Sequence, residues 1–116
     1  MANSMQRNTR VPRDQWLQFF DRLARDNQGR PIRLETSGGE PGAEQIGRVL
    51  PLLSINYDRA AKGNVLTIST GAKEIEYEHA VTMPKEIWVE EHGNGRGKAI
   101  EIVSEGGERT VMSFEQ

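Results

Sequence analysis

The chain has 116 residues and a formal net charge of −2; hydrophobic residues make up 35% of it and charged residues 28%. This length predicts a single domain with a small core. The sequence contains no cysteine and only two histidines, which excludes disulfides, thiolate nucleophiles and cysteine- or histidine-rich metal sites. We expect neither a metal nor a cofactor.

The distribution of charge and apolar residues bears on localisation and partners. Residues 1–33 carry a net charge of +4 and residues 34–116 a net charge of −6, and an acidic surface disfavours broad contact with nucleic acid. The first ten residues lack the apolar run of a signal peptide, and no stretch is long enough for a transmembrane helix. We therefore expect a cytoplasmic protein that does not enter a membrane.

The first predicted elements are a tail and a helix. Residues 1–10 are polar and contain no acidic residue, which is typical of a mobile tail. In the next segment, apolar residues recur at helical spacing and form one stripe: Trp16, Phe19, Phe20 and Leu23. The pattern predicts a helix over about residues 12–28, ended by Gly29 and Pro31.

From residue 31 to about residue 115 the apolar period changes from helical to two, which is typical of strands. The predicted strand segments are PIRLET, QIGRVLPLLSINYD, VLTIST, EYEHAVTM, EIWVEE and the hairpin KAIEIVSEGGERTVMSF. Pro84 predicts a sharp bend or a change of partner strand, because proline cannot donate a ladder hydrogen bond. The short connections predict an α+β domain over residues 11–116, in which the amphipathic helix precedes a small, strongly bent antiparallel β-barrel that ends in a hairpin.

His79 is the first candidate for chemistry, because imidazole titrates near neutral pH. Strand alternation places it on one face with Tyr77 and Val81. We interpret His79 as structural, packed among Ile75, Val81 and Met83 with one ring nitrogen bonded to a backbone carbonyl. The alternative is a general base whose partner is brought close by folding.

Trp88 is the second candidate, because alternation turns it away from Ile87 and Val89 and places it beside Glu86 and Glu90. An aromatic residue among acids is either covered by another element or exposed as a contact site. We interpret Trp88 as covered by the N-terminal helix, with the exposed contact site as the alternative.

Two further motifs have simple structural interpretations. Glu74, Glu76 and Glu78 alternate along one strand and resemble no calcium loop, so we interpret them as a solvated edge that discourages strand pairing. The glycine-rich segment HGNGRGK, residues 92–98, fails the Walker A pattern at both ends and is interpreted as a hairpin loop.

Three blocks of the sequence carry a resemblance to a known family. They are VPRDQWLQFFD at residues 11–21, HAVTMPKEIWVE at residues 79–90 and KAIEIVSEGGERTVMSF at residues 98–114. Together they resemble a family of small bacterial proteins catalogued as a domain of unknown function. The resemblance implies a stand-alone domain, and it implies no catalytic residues.

A shorter segment, EYEHAV at residues 76–81, looks like part of the bacterial Sm-like RNA chaperone. That resemblance implies an Sm-like barrel in which Tyr77 and His79 belong to an RNA-contacting ring surface. Glu78 stands where that family has a lysine, and its negative charge repels phosphate.

The sequence thus favours a non-enzymatic interaction or adaptor module that binds a protein partner or itself. The candidate contact residues are Tyr77, His79, Trp88, Arg22 and Arg25. One alternative is an Sm-like RNA-binding oligomer that uses the same tyrosine, histidine and arginines. A second is a small-ligand barrel or an enzyme with His79 as general base.

Overall fold

The computed structural model of the protein describes residues 7–38, 49–59, 62–91 and 98–115. Within these ranges the chain forms eight strands and one α-helix, which a single 3-10 turn at Arg13–Gln15 precedes. The elements are β1 (Arg7–Arg10), α1 (Trp16–Asn27), β2 (Pro31–Ser37), β3 (Val49–Asp58), β4 (Val65–Thr70), β5 (Tyr77–Thr82), β6 (Pro84–Glu91), β7 (Lys98–Ser104) and β8 (Arg109–Phe114). No helix in these ranges is long and apolar enough to cross a membrane.

The strands form one antiparallel sheet in the order β1-β6-β7-β8-β2-β3-β4-β5. It consists of two meanders, β2 to β5 and β6 to β8, which are joined by pairing of β8 with β2. The strands at the two ends of this order, β1 and β5, do not pair with each other. The prediction of a closed, possibly Sm-like barrel is therefore wrong: the sheet is open.

The corner between β5 and β6 is where the chain changes its partner strands. Met83 connects these two strands with a φ of 54°. Its N–H donates to the carbonyl of Asn64 at 2.9 Å, and its carbonyl accepts from the N–H of Glu105 at 2.9 Å. This corner separates the strands, so that β5 pairs with β4 while β6 pairs with β1 and β7. The change of partner strand predicted at Pro84 is confirmed.

The structure also assigns part of the expected N-terminal tail to the sheet. Residues Arg7–Arg10 form β1, which pairs with β6 in the register Arg7↔Glu91 to Arg10↔Trp88. The side chains of this polar segment do not predict a strand. The segment is ordered by backbone hydrogen bonds to the edge of β6, which would otherwise be unpaired.

The helix packs on one face of the sheet, mainly against β3. Trp16, Phe20 and Leu23 from the predicted stripe are buried, and Phe19 is partly buried. The Trp16 indole N–H donates to the carbonyl of Val11 at 2.8 Å, and its ring meets Tyr57 edge-on with centroids 5.5 Å apart.

These helix residues share one core with the strand residues that point to the same side of the sheet. We call that side the inner face and the opposite side the outer face. The strand residues of the core are Ile32, Leu34, Leu52, Ile55, Tyr57, Leu66, Ile68, Val81, Ile87, Val89, Ile100, Ile102, Met112 and Phe114.

Candidate functional site

His79 lies on the inner face of β5, opposite Ile68 of β4. Its Nε2 is 3.1 Å from the Oγ1 of Thr110, a fully buried residue of β8. The bond joins β5 to a strand that is distant in the order of the sheet. The ring is therefore hydrogen-bonded, as expected of a structural residue, but its partner is a threonine hydroxyl rather than a backbone carbonyl.

The environment of His79 favours the neutral imidazole. Burial lowers the pKa of His79 below its ordinary value of 6.5, and the carboxylate of Glu108 opposes this shift only in part. Among the described residues, no carboxylate hydrogen-bonds the imidazole. The arrangement therefore supplies a neutral ring held by a hydroxyl, without the acidic partner that would orient a catalytic base.

The surroundings predicted for His79 are only partly observed. Val81 is buried on the same face, whereas Ile75 and Met83 are 56% and 45% exposed. Ile75 precedes β5, and Met83 occupies the corner after it, so neither belongs to the strand.

Tyr77 shares the inner face of β5 with His79, as predicted. It is half-buried and packs against the core. Its carbonyl accepts a hydrogen bond of 3.1 Å from the Oγ1 of Thr70 on β4. The hydroxyl of Thr70 and the backbone of Tyr77 thus strengthen the pairing of the last two strands of the sheet.

The two helix arginines lie on α1, away from this pair. Arg25 is 3.8 Å from Asp21 in an exposed ion pair and borders an open depression formed with Leu53 to Ile55 of β3. Arg22 borders a different depression, beside Phe19 and Lys98. These contacts are with the helix, β3 and β7, so the structure does not bring the arginines and His79 into one site.

Trp88 lies on the outer face of β6, opposite in direction to the buried Ile87 and Val89, as alternation predicts. The indole is half-buried, and its Nε1 donates to the Oε1 of Glu86 at 3.0 Å. The apolar side of α1 packs with Ile87 and Val89 on the inner face. The helix is therefore on the other side of β6 and does not cover Trp88.

The strand register surrounds Trp88 with an ordered pattern of side chains on the outer face. One row crosses five strands and contains Arg10, Trp88, Glu101, Val111 and Glu35. The neighbouring row contains Glu86, Val103, Arg109 and Ser37. We call these nine residues the Trp88 face.

An ion pair lies at the centre of the Trp88 face. The guanidinium of Arg109 is 2.7 Å from the carboxylate of Glu101, whose side chain is only 17% exposed, and Arg109 itself is 57% exposed. Val103 and Val111, on either side of this pair, are half-buried. Apolar side chains and a neutralised carboxylate therefore form the middle of the face.

Glu86 lies close to several positive charges on or beside the same face. The hydrogen bond from the Trp88 indole lowers the pKa of Glu86, and the charges of Arg10, Lys85 and Arg109 act in the same direction, while burial opposes them. Glu86 is thus held ionised as the acceptor that fixes the indole.

The acidic run near β5 has separate local partners. The carboxylate of Glu78 accepts from the Oγ of Ser69 at 3.0 Å, and that of Glu76 accepts from the N–H of Ala72 at 3.1 Å. Within the described parts of the chain, no three acidic or histidine side chains converge as metal ligands. Of the glycine-rich segment predicted to form a hairpin loop, residues 92–98, the first six lie outside the described residues and Lys98 begins β7.

Sequence reasoning missed the neighbours of Trp88, namely Glu101, Val103, Arg109 and Val111. Alternation in β7 and β8 places them opposite the buried Ile100, Ile102 and Met112. That signal gives the face but not the alignment between strands, which depends on the register shift between Pro84 and Glu86.

The fold and site define a small, mostly β protein: one helix packed on the inner face of an open antiparallel sheet, with an aromatic and charged outer face. The chain belongs to the family described as "Family of unknown function (DUF5335)", whose model matches residues 7–116. This confirms the family resemblance inferred from the three sequence blocks.

A relative from Aquifex aeolicus (strain VF5), described as an uncharacterized protein, is 31% identical over 102 residues. The aligned region covers 88% of this chain and 86% of the relative. The two chains therefore correspond over most of their length. No solved structure matches this chain.

Proposed function

We propose that the protein is a non-enzymatic interaction module that binds a protein partner through the Trp88 face. The observation that supports this proposal is the half-buried indole of Trp88, on the side of the sheet that the helix does not occupy. Trp is among the residues that contribute most binding free energy when a partner covers it.

The surroundings of Trp88 resemble the composition of protein interfaces. Val103 and Val111 supply apolar area close to the indole, and Arg10 and Glu35 lie at the two lateral ends of its row. Protein interfaces combine an apolar, aromatic centre with a polar, solvated rim. The face is also built on paired strands, so its side chains are held in place before a partner binds.

The surroundings of His79 support an enzyme less well than the Trp88 face supports a binding protein. Its Nε2 is bonded to the buried hydroxyl of Thr110, and burial lowers the pKa of the ring. Both features account for His79 as a residue that links β5 to β8. We therefore assign binding to the outer face and a structural role to His79.

Site-specific photo-crosslinking in the living cell tests this proposal. A benzoylphenylalanine at Val103, in the middle of the Trp88 face, is expected to give a discrete protein adduct that Trp88→Ala abolishes. The matched control is the same crosslinker at Leu17, which is 49% exposed on the helix and is expected to give no such adduct.

Thermal unfolding of each variant checks that the fold is retained. We expect it to be, because the side chains of Val103, Trp88 and Leu17 do not belong to the core. Equal adducts at Val103 and Leu17, or an adduct at Val103 that survives Trp88→Ala, would contradict binding through this face. So would the absence of any adduct at Val103.

A further inference from the structure

We infer that the partner of the Trp88 face is a second copy of this chain, stacked face to face about a twofold axis that runs parallel to the strands over β7. This inference rests on the proposed function and names its partner. β7 is the middle strand of the five that carry the face, in the order β1-β6-β7-β8-β2. A closed dimer of this kind buries the same surface on both copies.

Rotation about this axis reverses the order of the strands in the facing copy. Each row therefore lies opposite the same row of the other copy. A residue on β6 therefore faces a residue on β8 of the other copy, and a residue on β1 faces one on β2. Residues on β7 face their own equivalents. Two sheets stack in this aligned manner about 10 Å apart.

The row that contains Glu86 is self-complementary under this operation. It reads Glu86, Val103 and Arg109 across β6, β7 and β8. The carboxylate of Glu86 then faces Arg109 of the other copy, the reciprocal pair forms on the other side of the axis, and Val103 meets its own equivalent. Two opposite-charge pairs thus flank an apolar contact, a pattern that sets partner and register.

The row that contains Trp88 matches in the same way. Arg10 on β1 faces Glu35 on β2, and Trp88 on β6 faces Val111 on β8. Glu101 meets its own equivalent on the axis, where two carboxylates would repel. Each is already paired with Arg109 of its own chain at 2.7 Å and is only 17% exposed, which relieves that repulsion.

A third row continues the match without conflict. It places Glu90 of β6 opposite Ser113 of β8, Asn8 of β1 opposite Arg33 of β2, and Ala99 on the axis. No further like-charge pair arises in this row. A face built for an unrelated basic or acidic partner would instead carry an excess of one charge.

The size of the face sets the expected strength of the dimer. Five strands and three rows span about 24 by 20 Å at ordinary strand spacings, which gives about 500 Å² on each copy and about 1,000 Å² in total. Stable interfaces bury about 1,200–2,000 Å² in total, so this area is typical of a weak, transient complex. We therefore expect exchange between monomer and dimer, with a Kd in the micromolar range.

Sedimentation equilibrium of purified protein, from about 10 μM to about 1 mM, tests the inference. The unmodified protein, 13.0 kDa as a monomer, is expected to approach twice this mass as concentration rises. Glu86→Arg and Arg109→Glu each place like charges in both reciprocal contacts, so each is expected to raise the Kd at least tenfold. Mixing the two variants is expected to restore most of the dimerisation, because both reciprocal contacts then pair opposite charges and only one of the two Glu101 side chains lacks its ion pair.

Glu74→Arg provides a matched control, since Glu74 is exposed and lies outside the Trp88 face; its dimerisation is expected to equal that of the unmodified protein. Circular dichroism and thermal unfolding of each variant separate loss of dimer from loss of fold, because Arg109→Glu also removes the ion pair with Glu101.

Three results would overturn the inference: a monomer at all concentrations, a dimer insensitive to both charge reversals, or single variants that mixing does not rescue. If the protein is a monomer but the crosslinker at Val103 captures a different protein, only the claim that the partner is a second copy would be wrong. The proposed interaction module would stand in that case, and it would fail separately if no Trp88-dependent adduct formed.

Discussion

His79 and Thr110 show what single residues contribute to this fold. Alternation along β5 correctly places the imidazole on the inner face beside Tyr77 and Val81. Its partner could not be predicted, because Thr110 is 31 residues away and on another strand. The bond links β5 to β8 across the inner face, where no backbone pairing joins these strands.

His79 is expected to make the protein less stable at mildly acidic pH. Its pKa in the folded state is lowered from 6.5, so the unfolded chain binds the proton first as the pH falls. The free energy of unfolding therefore decreases from about pH 6.5 down to the folded-state pKa and is fully retained above about pH 6.5. Urea unfolding at about pH 7.5 and about pH 5.5 measures this loss.

The control for that prediction is His79→Gln, which keeps a polar side chain but does not titrate. The carboxylates of the chain contribute equally to both proteins, so the loss of stability between the two pH values is expected to be smaller in the variant. An equal loss in both proteins would contradict a pH-sensitive structural role for His79.

At the scale of elements, helix α1 and the strands follow directly from the periodicity of the sequence, whereas the β5–β6 corner does not. The apolar stripe of α1 and the period-two segments reflect local burial, which each stretch of sequence encodes for itself. The corner depends on Met83 in the left-handed region, bonded to Asn64 and Glu105 of two distant turns. No local pattern records such contacts, so periodicity does not predict the partner strands on either side of this corner.

Substitution of Met83 tests the corner. Its side chain is 45% exposed, and its Sδ accepts a hydrogen bond of 3.9 Å from the side-chain amide of Asn64. Met83→Gly is expected to keep the free energy of unfolding within about 1 kcal/mol of the unmodified protein, because glycine adopts a positive φ without strain and this offsets the lost side-chain contacts. Met83→Val is expected to lower it by at least about 1 kcal/mol, because a β-branched side chain is strained there. Denaturant unfolding measures both, and a glycine variant that is less stable than the valine variant would contradict the positive φ of the corner.

At the scale of the whole molecule, the alignment of neighbouring strands determines which side chains form the Trp88 face. The sequence predicts that Trp88 points away from Ile87 and Val89, and the structure places it so. The sequence does not predict that Val103 and Arg109 lie next to Glu86 on the neighbouring strands. That alignment depends on a bulge near Pro84. The direction of one side chain was therefore predictable, and the surface that it belongs to was not.

Fluorine NMR of protein labelled with 5-fluorotryptophan tests most directly whether this surface is where copies meet. The chain has two tryptophans, and Trp88→Phe assigns their resonances. The resonance of Trp88 is expected to shift as concentration rises through the range of dimerisation, while that of Trp16, which is 1% exposed in the core, stays constant. A Trp88 resonance that does not change while the solution mass doubles would show that the copies meet elsewhere, and no change in either quantity would show that they do not meet.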